Sequence, residues 1–272
     1  MAGLPMQVSA YEPHQDVVVE NDRPARCFTV LDGIAAAYKT TNEGGRQVTA
    51  FYVPGDVPGF QCLQLEVLDF SIAAVTTLRI GSVGHDAVRG MLAAHPRLAD
   101  AFWRTTLIEG SLAREWLLNN GRREAYGRLA HLFCELLTRL EAVDLAHGRA
   151  CDFRLTQSEL ADALGVTAVH VNRVLKELRD QGLITLGGGR LVIHDWDALA
   201  EAADFDPAYL HLRRDDARTD AAVIGPGGHR GAREPSPSKP APGPTWPLPV
   251  PVAATSGTGP RTQPDRPRPR PA

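Results

Sequence analysis

Along the first eighty residues apolar and polar positions alternate in short runs, and the runs stop at clusters of turn formers. "DVVVE", "CFTVLDG", "IAAAYKT", "RQVTAFYV" and "FSIAAVTTLRI" are rich in β-branched and aromatic residues, and "NDRP", "NEGG" and "PGDVPG" lie between them. That alternation predicts short antiparallel strands closing a small barrel or roll from Asp16 to about Ile80. "NEGG" reads as a hairpin turn. Residues 1–15 carry no pattern and read as an extension.

At about His85 the period becomes helical. Leu98, Phe102, Thr105, Glu109, Leu112, Trp116 and Asn119 recur at alternating steps of four and three, a seam along one face of a single long helix. Such a stripe needs a partner, and the adjoining roll and a second copy of the chain both qualify. "NNGRRE", Asn119 to Glu124, interrupts it, with Gly121 as the expected hinge. A second stripe, Leu129, Phe133, Leu136, Leu140 and Val143, then opens a new helix and a new domain.

The stretch "LTQSELADALGVTAVHVNRVLKELRDQGLI" carries the sharpest local signals. Thr156 followed three residues on by Glu159 is a capping box, fixing a helix start at Gln157. Gly165 is free to take the left-handed conformation that ends this helix in a sharp turn. Thr167 caps the next helix, whose inner face is Val171, Val174, Leu175 and Leu178. Two short helices around a glycine-bearing turn make a helix-turn-helix.

Pinning Val171 and Val174 inward leaves Ala168, Val169, His170, Asn172 and Arg173 at the exposed start of the second helix. In this motif that end enters the DNA major groove, where Arg donates two hydrogen bonds to guanine and Asn or His reaches base edges or phosphates. Lys176 and Arg179 lie further along, placed for phosphates. Thr156, Gln157 and Thr167, at the heads of the two helices, complete the DNA-facing set. "LITL" and "RLVIH" around Gly187-Gly188-Gly189 follow as a hairpin, a wing beside the recognition helix.

Charge narrows the picture. After residue 212 there are ten Lys and Arg against five Asp and Glu, leaving 19 against 27 in the first 212 residues. An acidic body excludes wholesale polyanion binding, so any nucleic-acid contact is local. Fourteen of the 21 prolines fall in residues 213–272, a composition that reads as a disordered tail with polyproline character. Cys27, Cys62, Cys134 and Cys151 stand far apart and read as reduced, buried thiols of a cytoplasmic protein. No run has the length of a membrane span, and no membrane partner is expected.

A roll, a long seam helix, a hinge and a C-terminal winged helix-turn-helix together resemble the Crp/Fnr family of bacterial transcription regulators. "GIAAAYKTTNEGGRQVTAFYVPGDVPGF", "REWLLNNGRREAYGRLAHLFCELLTRL" and the helix-turn-helix stretch carry the likeness, which covers roughly residues 16–212. It implies an α+β fold, with an antiparallel roll as sensor domain over 16–97, a dimerisation helix and hinge over 98–123, and a winged helix-turn-helix over 124–212. It also implies a homodimer on a palindromic DNA operator, an effector site in the roll, and RNA polymerase as a further candidate partner. Arg173 looks like the family's guanine-reading arginine. Val169 stands where many members carry a glutamate that accepts from cytosine, so the operator is expected to differ there.

The implied effector pocket maps to Gly55, Asp56, Gly59, Phe60, Leu68 and Asp69. Members that bind cyclic nucleotides place a Glu on the ribose where this chain has Phe60, and an Arg on the phosphate where it has Leu68 and Asp69. Leucine cannot pair a phosphate, and a neighbouring carboxylate repels one. Cyclic nucleotide binding is therefore expected to be lost. A [4Fe-4S] cluster is not expected either, since only Cys27 lies near the N-terminus. His131 and Cys134, three apart, read as a surface His beside a packed Cys rather than a metal site. No cofactor, metal site or catalytic constellation is expected, and an enzyme is disfavoured. The competing reading is a ligand-sensing module that works mainly through protein partners.

Overall fold

The structure, a computed structural model, describes residues 5–212. Its N-terminal half is a roll of seven strands: β1 (Gln7–Tyr11), β2 (Asp16–Val18), β3 (Arg26–Asp32), β4 (Ala35–Thr40), β5 (Arg46–Tyr52), β6 (Ser71–Ala74) and β7 (Leu78–Gly84). They form two antiparallel sheets, ordered β1-β7-β3 and β2-β6-β4-β5. Val30, Leu68, Ile72, Leu78 and Ile80 fill the space between the sheets.

Two features of the roll depart from the sequence expectation. The segment read as a patternless extension contains β1, which pairs with β7 from Gln7↔Ser82 to Tyr11↔Leu78. As a sheet edge it leaves even Val8 half exposed, so its burial imposes no clean alternation. "FSIAAVTTLRI" is two strands in different sheets, broken at Val75–Thr77 without glycine or proline to signal it. Gly33, at φ 82°, lets the neighbouring turn approach: a Cβ there would lie 2.2 Å from the Thr77 carbonyl oxygen.

Three helices follow, α1 (His85–Ala94), α2 (Pro96–Arg122) and α3 (Ala125–Glu141). The seam read on α2 turns into the protein's own body. Trp116 and Asn119 are buried, and Phe102 stacks on Phe60 of the roll with ring centroids 4.5 Å apart. The expected hinge at Gly121 is also displaced, because α2 runs helically through it. The chain becomes extended at Arg123 and Glu124 instead. Arg123 ties that corner down, donating to Glu115 Oε1 at 2.8 Å and to the Asp204 carbonyl at 3.0 Å.

Beyond α3 come β8 (Ala146–His147), β9 (Ala150–Asp152), α4 (Gln157–Leu164), α5 (Ala168–Asp180), β10 (Ile184–Gly187), β11 (Arg190–Ile193) and α6 (Trp196–Ala203). The wing expected as a hairpin is half of a four-stranded sheet ordered β10-β11-β9-β8. Strands of two and three residues are too short to print a period. Gly188 and Gly189 both have positive φ, 60° and 75°, which a two-residue turn between right-twisted strands requires.

The α3 helix is the central pillar. Leu129, Phe133, Leu136 and Leu137 are fully buried, with Val48 and Phe51 of the roll and Leu160, Val171, Leu175 and Leu178 of the C-terminal half in the same continuous core. Each such side chain contributes roughly 1.5–3 kcal/mol by leaving water. Val143, the last member of the predicted stripe, lies past the helix end and is exposed. No helix among the described residues is long and apolar enough to cross a membrane. The tail reading of residues 213–272 falls outside the described residues.

Candidate nucleic-acid interface

Local chemistry builds the helix-turn-helix as its sequence dictates. The Thr156 side chain accepts from the Glu159 amide at 3.2 Å while Glu159 Oε2 accepts from the Thr156 amide at 2.7 Å, closing the capping box. Gly165 ends α4 at φ 65° and ψ 37°, and Thr167 caps α5 by accepting from the His170 amide at 3.2 Å. Val171, Val174, Leu175 and Leu178 are buried, so the opposite face of α5 is presented outward.

What aims that face is not local. The last carbonyls of α4, which have no partner within the helix, are gripped from three other elements. Gln47 of β5 and Asn120 of α2 each donate to the Ala163 carbonyl at 3.1 Å, and Arg128 of α3 donates to the Leu164 carbonyl at 2.8 Å. Arg46 of β5 pairs with Asp162 at 3.6 Å. The first helix of the motif is thereby clamped against the roll and both long helices, and the outer face of α5 is left uncovered.

At the leading end of α5, Val169 is 82% exposed. Gln157, Ala168, Val169, Asn172, Arg173 and Lys176 line one shallow concavity, so six of the ten expected DNA-facing residues converge on a single surface. Thr156 and Thr167 are exposed beside it but spend their side chains on capping. His170 is half-buried, its Nε2 accepting from Arg173 Nη2 at 3.0 Å, which orients the guanidinium along the helix face. Lys176 lies 2.6 Å from Asp180, so its charge is shared.

The effector residues disperse. Gly55 and Asp56 line a cavity of about 470 Å³ between the roll, α2 and α3. Phe60 instead stacks on Phe102, Leu68 is fully buried in the roll core, and Asp69 faces solvent. Gly59, at φ 66°, opens the 3-10 turn Phe60–Leu63. Asp56 is itself committed, accepting from the Val53 amide and from Arg139 Nη2, both at 2.7 Å.

A polar network beside this cavity left no signal at short sequence range beyond one i,i+4 pair on α3. Glu135, 0% exposed, accepts from Trp116 Nε1 at 3.1 and 3.2 Å, from the Tyr209 hydroxyl at 2.8 Å and from Arg139 at 3.3 Å. Burial, reinforced by the Asp56 carboxylate and opposed by Arg139, pushes Glu109 in the cavity wall up to about 7. His131, expected on the surface, is 1% exposed, and burial with help from Arg123 pushes it down to about 3. It lies 3.2 Å from Glu115 as a neutral ring in the packed core. All four cysteines are buried and free, but two of them are not isolated. Cys27 of β3, Cys62 of the 3-10 turn and His85 of α1 bring one ligand atom each within 4.8 Å of one another.

A roll joined through a long helix to a winged helix-turn-helix with an outward recognition helix defines a one-component DNA-binding regulator. Residues 8–95 match the family model described as a cyclic nucleotide-binding domain, and residues 127–202 match the Crp-like helix-turn-helix domain. The chain is 31% identical over 178 residues to the nitrogen fixation regulation protein FixK of Azorhizobium caulinodans, covering 65% of this chain and 69% of that one. It is 30% identical over 201 residues to the transcriptional activator protein FnrL of Cereibacter sphaeroides, covering 72% and 80%. The solved structure of FixK2 from Bradyrhizobium japonicum shares the fold with a TM-score of 0.65 at 22% identity, over 73% of this chain and 98% of that one. The chain belongs to the Crp/Fnr family of transcription regulators.

Proposed function

We propose that this regulator binds a palindromic operator as a homodimer, reads it with the leading end of α5, and does not use a cyclic nucleotide as effector. The observation that carries the reading is the presentation of Val169 and Arg173 on one solvent-facing surface of a helix whose other face is fully buried. Arg173 donates to a guanine edge. Val169 replaces a hydrogen-bond acceptor with an apolar contact, suited to a thymine methyl.

The dimer is supported by the face of α2 that its own body leaves uncovered. Trp103 is 68% and Leu117 75% exposed, and Leu107 is exposed between them. Trp103, Leu107, Gly110, Arg114 and Leu117 recur at steps of four and three, a coiled-coil period displaced by two residues from the inward seam. Two such helices side by side bury both stripes.

The cavity chemistry opposes a cyclic phosphate. Arg139 is already bound to Asp56 and Glu135, and the carboxyl groups of Asp56 and Glu109 face the same space. An anion there meets like charge in a poorly solvated site. The reading predicts that fragments selected from random DNA by the full chain share a two-fold symmetric motif with half-sites about one helical turn apart, roughly 34 Å. Leu117→Glu should yield a monomer in sedimentation that no longer selects the symmetric motif. Enrichment of no motif by the wild-type chain would instead favour a module acting through protein partners.

A further inference from the structure

Three elements that the sequence keeps apart meet at one point of the roll. Cys27 comes from the start of β3, an edge strand of its sheet, Cys62 from the 3-10 turn, and His85 from the first position of α1. Both cysteines are buried, and His85 is half-buried. Cys62 Sγ lies 3.3 Å from His85 Nε2 and 3.5 Å from the Arg26 carbonyl oxygen. This cluster takes no part in the DNA-facing surface or in the cavity beside α2.

Two thiols and an imidazole nitrogen are the donor set of borderline-soft divalent ions, of which zinc is the standard case. A tetrahedral zinc site has ligand-to-ligand edges of roughly 3.5–3.8 Å, from bonds of about 2.3 Å to sulfur and 2.0–2.1 Å to nitrogen. Atoms already within 4.8 Å of one another reach that spacing by side-chain shifts of about an ångström. The charges close as well: two thiolates neutralise a divalent cation, and their two protons leave to solvent. Arg89 donates to the Leu63 carbonyl at 2.9 Å and so holds the C-terminal end of the turn that carries Cys62. The third donor completes a metal triad: Cys62 Sγ lies 3.3 Å from His85 Nε2, and both are within ligand spacing of Cys27.

We propose that Cys27, Cys62 and His85 form a binding site for a single thiophilic divalent cation, zinc in the first instance, with the fourth position open to solvent at the half-buried His85. The ion ties the 3-10 turn to the start of α1. Phe60, two residues before Cys62, stacks on Phe102, so the site also steadies the contact between roll and α2. This inference stands whether or not the operator reading holds, because it concerns the roll alone.

The test is titration of the reduced full-length chain with cobalt(II) as optical probe, followed by displacement with zinc. One equivalent should develop the thiolate-to-cobalt charge-transfer band and the visible bands of a tetrahedral ion, and zinc should abolish them. Cys62→Ser and His85→Gln should each weaken binding at least about a hundredfold, since even a lost outer-shell partner costs ten- to a hundredfold. The double variant Cys134→Ser/Cys151→Ser should bind as the wild type does. His85 is half-buried, so His85→Gln carries the test if Cys62→Ser does not fold, with circular dichroism as the check. Absence of the band in the wild type, its survival in either ligand variant, or a chain that under air loses two thiols at Cys27 and Cys62 without taking up metal would each overturn the site.

Discussion

The exposed leading end of α5 and the junction between roll and helices both carry polar groups, yet they are made in opposite ways. The first is assembled from some twenty contiguous residues whose caps, glycine turn and apolar face all agree. The second is assembled from Asp56, Glu109, Trp116, Glu135, Arg139 and Tyr209, which no short window contains. Local consistency makes a rigid, exposed helix end. Long-range pairing makes a buried joint between the roll and the long helices.

The sharpest way to separate the two is to break the joint. Arg139→Leu strips Glu135, which is wholly buried, of its cation. An uncompensated buried charge of this kind costs about 3–5 kcal/mol. Denaturant unfolding should show that loss as a lower midpoint with little change in slope. An unchanged midpoint would mean the joint does not hold the fold.

The next effect runs the other way. Glu109 has its folded value raised from 4.5 to about 7, so the folded state favours the protonated carboxyl. Its favourable contribution is complete below 4.5 and is lost as pH rises through 7. Glu109→Gln imitates the protonated form and should stabilise the protein by on the order of 2 kcal/mol above that pH, with the gain vanishing in acid. Equal gains at both ends of the pH range would refute the burial explanation. His131 has the opposite sign. Its depressed value supplies stability above 6.5 that is lost as pH falls toward about 3.

Within the helix-turn-helix effects are smaller. Thr156→Ala removes the hydroxyl of the capping box and should cost about 1 kcal/mol of stability while leaving sequence preference intact. Lys176→Ala should be milder still for the fold. It should weaken all DNA sequences alike and lower the salt slope by about 1 or less, since Asp180 already shares the charge. A change of base preference in the Lys176 variant would move that residue from the backbone to the bases.

The same contrast explains what could be read in advance. Thr156, Gly165, Thr167 and the four buried positions of α5 act within a few residues of their partners, so each prints its role in the sequence. The α2 seam was visible too, but periodicity gives a face and not its neighbour. Phe102 and Trp116 pack inward, and the uncovered stripe begins at Trp103. β1 went unseen because an edge strand has only one ladder to satisfy and little burial to enforce alternation. Gln47, Asn120 and Arg128, which clamp α4, act across long stretches of chain on backbone carbonyls that every residue possesses. Nothing in their types announces the task. Cys27, Cys62 and His85 meet only because the strand order of the roll brings them together.

If the leading end of α5 is the reading head, one comparison tests it most directly. The full chain and Arg173→Ala are measured for binding to the selected operator and to each of its single-base variants at fixed salt. The account predicts that the variant loses about 1–3 kcal/mol on the operator and its discrimination at one base pair in each half-site, with the other positions read as before. Equal affinity and an unchanged base preference across every position would contradict it.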